Sequence, residues 1–178
     1  MDAKVSQKFQ SLEVLRQYLV TIADELTQEQ ANEIIITDKW TLGQQLYHLY
    51  LVEKATFESI SSRLKEERRH KKTGFKERYR MFLLKISLGL PLKFKAPPVV
   101  ADSIPENVDV AKLKTEYENL SAGWELLLNV LSQDQLHIRL FKHPVIGPIN
   151  ILQTLDFLKA HLKHHLPQIN GLLSKIRQ

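Results

Sequence analysis

A chain of 178 residues with 43% hydrophobic and 25% charged side chains has the length and balance of a single soluble globular domain, residues 1–178. It has no cysteine, which excludes disulfides, thiolate metal sites and a cysteine nucleophile, and fits a reducing cytoplasm. The net charge of +5 is modest, and no apolar run approaches the ~18–20 residues needed to cross a bilayer, so no membrane partner is expected.

The start of the chain, Met1 to Ser6, lacks the apolar core of a signal peptide. A first helix is expected from about Ser6 to Leu26, with Ser6 as its cap and Phe9, Leu12, Leu15, Leu19 and Ile22 on one stripe. A polar connector follows from Thr27 to Lys39, with Ile34, Ile35 and Ile36 as candidates for burial. Thr41 and Gln44 have the spacing of a capping box and open a second helix that runs past His48 to about Arg69. His48 lies beside the apolar stripe of that helix.

Residues 70–108 read as a long, mostly irregular connection holding one short helix from Phe75 to Leu88. Pro97, Pro98 and Pro105 keep the remainder extended. A connector of that length is the crossover that some four-helix bundles use. Asp109 caps a third helix, to about Leu131, and residues 132–147 form a loop. Asn150 caps a fourth helix, which Pro167 should kink and Gly171 begins to end. Four long amphipathic helices without a convincing strand give an all-α four-helix bundle, with the crossover between helices two and three.

The fourth helix carries the chemistry. His161 and His165 are one turn apart, so both imidazoles can face one metal ion. Two ligands leave a site incomplete, and His48 is the best candidate for the third. His164 competes with His165, because it lies three residues from His161, and periodicity does not choose between them. With seven histidines in the chain, the His-x-x-x-His spacing alone is a weak signal.

Two stretches resemble DinB/YfiT-like proteins. One is Trp40 to Leu49, where a Trp-Thr pair precedes His48. The other joins His143, Pro144 and Gly147 to His161, His165, Gln168 and Ile169. Pro167, Gln153 and Leu155 depart from the pattern of that family. The resemblance implies a four-helix bundle with a divalent metal, zinc or nickel, on His48, His161 and His165, and it selects His165 over His164. It implies a metal-dependent enzyme acting on a small molecule. The reaction is either thiol S-transfer with a small thiol cosubstrate such as bacillithiol or mycothiol, or hydrolysis. The alternative is a non-catalytic bundle that binds a ligand or partner and has a structural or vestigial metal site.

Three histidines and one open position make the layout of a catalytic zinc site. Glu53, Asp156 and Gln168 are candidates to accept hydrogen bonds from the ligand rings. His143 is expected as a loop histidine near the pocket mouth, and Trp40 and Trp124 as core. The basic run from Arg63 to Arg80 reads better as a solvated helix end than as a nucleic-acid patch, so no nucleic-acid partner is expected. A homodimer through a helix face fits a bundle.

Overall fold

The computed structural model describes residues 1–66, 71–89 and 102–178. Helix α1, Ala3–Glu25, is capped by Asp2, whose Oδ1 accepts from the Lys4 and Val5 amides at 2.9 and 3.3 Å. Asp2 therefore takes the role expected of Ser6. A short helix α2, Gln28–Asn32, occupies the connector that the sequence left irregular, and a Thr27/Gln30 capping box starts it. Ile34 and Ile36 are exposed there, and only Ile35 packs against the core.

Helix α3, Leu42–Leu64, opens with the expected Thr41/Gln44 capping box. Its described end comes earlier than Arg69; Arg69, Arg68 and His70 lie outside the described residues, as do Pro97 and Pro98. Helix α4, Phe75–Gly89, is the short helix of the crossover. Helix α5, Val110–Val130, is capped by Asp109. Helix α6, Ile151–Ile176, begins with an Asn150/Gln153 capping box and continues past Pro167 and Gly171.

The segment expected as a loop before α6 has structure of its own. A turn of 3-10 helix, Asp134–His137, leads to an antiparallel hairpin of β1, Phe141–His143, and β2, Gly147–Ile149. Three-residue strands carry too little alternation to be read from sequence. Gly147 has φ +79°, which a side chain would strain.

The four long helices close a ring in the order α1, α5, α3, α6, because α1 and α3 each pack on both α5 and α6. The sequential pair α1 and α3 thus face each other across the bundle. A buried ion pair joins them, with the Arg16 guanidinium donating to both oxygens of the Glu53 carboxylate. Trp124 and Tyr117 of α5 fill the centre, and the Tyr117 hydroxyl donates to the Leu46 carbonyl at 3.0 Å. A Cβ on Gly43 would meet the Ala31 carbonyl oxygen at 2.9 Å, so α2 rests on the first turn of α3 at a distance only glycine permits. Among the described residues no helix is long and apolar enough to cross a membrane.

Candidate metal centre

Helix α3 supplies His48 and helix α6 supplies His161 and His165. The capping boxes that start these helices fix the phase of each one, and the packing of α3 on α6 turns both histidine faces inward. The ring centroids lie 5.3 Å apart for His48 and His161, 5.0 Å for His48 and His165, and 4.8 Å for His161 and His165. One nitrogen from each ring falls within 4.8 Å of the others, and no carboxylate among the described residues joins the group. Tetrahedral zinc–nitrogen bonds of ~2.0–2.1 Å space nitrogens roughly 3.3 Å apart, a spacing within reach of small ring rotations.

The surroundings keep these imidazoles neutral. Burial lowers His48 to about 4 and His165 to about 3. His161 is held well below its usual value, by burial first and then by the neighbouring His165 and His48. Neutral rings offer lone pairs at neutral pH, which is what a cation requires.

A hydrogen bond decides which nitrogen His165 presents. His165 Nδ1 lies 3.2 Å from Gln45 Oε1, an oxygen that can only accept, so Nδ1 carries the proton and Nε2 offers its lone pair. Gln45 sits one turn before His48 on α3. His48 Nδ1 is buried with no hydrogen-bond partner among the described residues, the kind of orphaned atom that a buried site leaves for a ligand. The donor set, the neutral rings and this orphaned nitrogen all fit a divalent cation. His164 points elsewhere: its Nδ1 is 2.9 Å from the Leu88 carbonyl and ties α6 to α4.

A family model of the DinB superfamily matches residues 11–169. The chain belongs to the DinB superfamily. Its fold is similar to that of YfiT from Bacillus subtilis, described as a probable metal-dependent hydrolase with an unusual four-helix bundle topology. The TM-score is 0.65 at 17% identity, covering 99% of this chain and 90% of that one. At that identity the likeness concerns the fold. No curated protein matches the chain.

Three residues expected to support the DinB-type histidines do other work. Glu53 is engaged by Arg16 in the core, Asp156 pairs with Lys8 and Lys85 at 2.5 and 2.8 Å, and Gln168 is exposed. The sequence offered two carboxylates and the amide of Gln168, whereas the group that bonds His165 is Gln45, whose i, i+3 relation to His48 was the available signal. Trp40 was expected in the core; it is half-buried and packs on the ring of His48 at 5.1 Å. Phe157 stacks on His161 at 5.7 Å, so aromatic rings wall two sides of the cluster.

His143 is the loop histidine, carried on β1 and edge-on to Phe157 at 4.5 Å. Its Nδ1 accepts from the Val145 and Ile146 amides at 3.1 and 3.3 Å, so its proton resides on Nε2. Burial lowers it to about 4, which makes it a fixed neutral donor rather than a ligand competitor. His137 is exposed, and its carbonyl accepts from Thr73.

Proposed function

We propose that this chain is a metal-dependent enzyme in which His48, His161 and His165 hold a divalent cation, zinc or nickel, with a fourth position open to a small nucleophile. The observation that carries the reading is the convergence of three neutral imidazoles from two helices, one nitrogen each within 4.8 Å, joined by no carboxylate among the described residues. A dication there supplies Lewis acidity, which lowers the pKa of a nucleophile in the open position. Three neutral ligands leave its double charge intact and so favour an anion, thiolate or hydroxide.

The protein's own groups do the rest. Gln45 fixes the tautomer and angle of His165. Trp40 and Phe157 cover the cluster with apolar rings, and a low-dielectric wall strengthens the attraction between ligand and ion. With no carboxylate base among the clustered residues, a thiol suits the site better than water, because it has far less acidity to gain: pKa ~8.5 against ~15.7. The reaction is then transfer of a small thiol to an electrophilic small molecule, with hydrolysis as the same chemistry run with water.

The test has two stages. Metal per chain is measured by elemental mass spectrometry on wild type and on His48→Ala, His161→Ala and His165→Ala. Loaded wild type is then incubated with small thiols plus an electrophile, and separately with esters and amides. The reading requires near-stoichiometric metal that all three variants lose, and turnover that the loaded protein alone supports. Failure of wild type to take up zinc or nickel overturns it. A second reading follows from the ligands' positions on α3 and α6: an ion there can act as a clip between helices. Metal that raises the melting temperature while no substrate class turns over supports the clip.

A further inference from the structure

Helix α4 has two apolar faces, and among the described residues only one of them packs against the bundle. Glu77, Met81, Leu84 and Leu88 face the bundle, and Glu77 fixes the start of the helix by accepting from the Gly74 amide and from Arg139, both at 2.8 Å. The opposite face carries Phe75, Tyr79, Phe82, Leu83 and Ile86, all exposed, with Phe75 at 83% and Phe82 at 59%. At 3.6 residues per turn these five fall within an arc of about 100°. Their exposed area is on the order of 600 Å², the upper end of what a monomer leaves bare without a use for it.

The charged side chains that α4 itself places beside this stripe are all cationic. By helical phase Arg78 and Lys85 flank one edge, and Lys76 and Arg80 flank the other. The one carboxylate of the helix, Glu77, is buried on the inner face. Lys85 pairs with Asp156, and Arg80 donates to the Ile146 carbonyl at 3.4 Å, whereas Lys76 and Arg78 form no ion pair among the described residues. Exposed Lys71 extends the positive charge before the helix, and Lys72 beside it pairs with Asp134 at 3.5 Å.

We propose that α4 is a docking helix for an anionic lipid surface, lying in the plane of the headgroups. An apolar ridge flanked on both edges by cations is the arrangement of interfacial helices: the ridge enters the acyl boundary and the long basic side chains reach back to the phosphates. A second copy of the chain fits less well, because a two-fold contact through this face sets cationic edges against cationic edges. An acidic protein would satisfy the charges but would need a groove for a convex ridge. The proposal is independent of the metal chemistry. It departs from the expectation of no membrane partner, which rested on the lack of a run long enough to span. Because α4 is tied to α6 through His164, lipid docking would set the bilayer beside the helix that carries His161 and His165.

Vesicle flotation of the full chain tests it, comparing phosphatidylcholine vesicles with vesicles of equal phosphatidylcholine and phosphatidylglycerol. Wild type should float with the mixed vesicles and bind phosphatidylcholine alone at least about 30-fold more weakly. Phe75→Glu/Phe82→Glu should abolish flotation, and Lys76→Ala/Arg78→Ala should weaken it about 30-fold. All four side chains are exposed, so unchanged thermal melts establish that the variants fold. Absence of binding to the mixed vesicles overturns the proposal, as does equal binding to both lipids or binding that survives the glutamates. A solution dimer that Phe75→Glu/Phe82→Glu converts to monomer, without vesicle binding, assigns the face to a second copy instead.

Discussion

Replacing Gln45 by leucine tests whether the second layer of the site holds the first. The amide oxygen accepts from His165 Nδ1 at 3.2 Å, longer than the usual 2.9–3.0 Å of an N–H···O bond. Partners of this kind are worth 10–100-fold in metal affinity, and a long, neutral bond belongs near the lower limit, at about 10–30-fold or 1.4–2 kcal/mol. Leucine keeps nearly the same volume, so the loss of fold stability should stay below about 1.5 kcal/mol. Zinc affinity would be read at neutral pH by competition with a chromophoric chelator, beside a urea melt of the metal-free protein. Gln45→Glu should restore or exceed wild-type affinity, because a carboxylate accepts the same proton and raises the basicity of the ring. Affinity within twofold of wild type for a folded Gln45→Leu would refute the assignment of Gln45, and with it the argument that His165 presents Nε2.

Saturating zinc at a hundredfold its dissociation constant should stabilise wild type by about 2.7 kcal/mol and leave His161→Ala unmoved, read as a shift in melting temperature. An equal shift in both would place the binding elsewhere. The metal-free protein should lose stability in acid. His48, His143 and His165 are lowered to about 4, 4 and 3 from 6.5, so the unfolded chain takes up protons first as pH falls. Stability is therefore complete above about pH 6.5 and declines through the window down to about pH 3, measurable as a falling urea midpoint; a flat midpoint would show that these rings are not neutral in the fold. Glu53→Gln strips Arg16 of its partner in the core and should cost about 3 kcal/mol, the low end of the range for a broken buried pair, because Glu13 also contacts Arg16. The double variant Arg16→Met/Glu53→Leu should recover most of that stability, since no charge is left unpaired.

Sequence legibility followed the length over which a signal repeats. The four long helices and the Thr41, Asp109 and Asn150 caps were readable because each rests on periodicity sustained over six turns or on a local side-chain-to-backbone bond. The hairpin was not, because its strands are three residues each and their pairing is a contact between separate segments. The run from Arg63 to Arg80 was read as charge alone. Its last residues, from Phe75, open α4, an amphipathic helix with a second apolar face, a pattern that becomes informative only once the first face is known to be occupied.

The candidate site divides the same way. The sequence by itself determined which imidazoles were available, the one-turn spacing of His161 and His165, and the family pattern that named His48. Only the tertiary structure decided that α3 and α6 bring the three rings together, that His164 turns to the Leu88 carbonyl, and that Gln45 rather than a carboxylate orients His165. The physical reason is range. Helix phase is a local property of the chain, written every three or four residues, whereas the rotation of one helix against another is set by the whole packed interface between them.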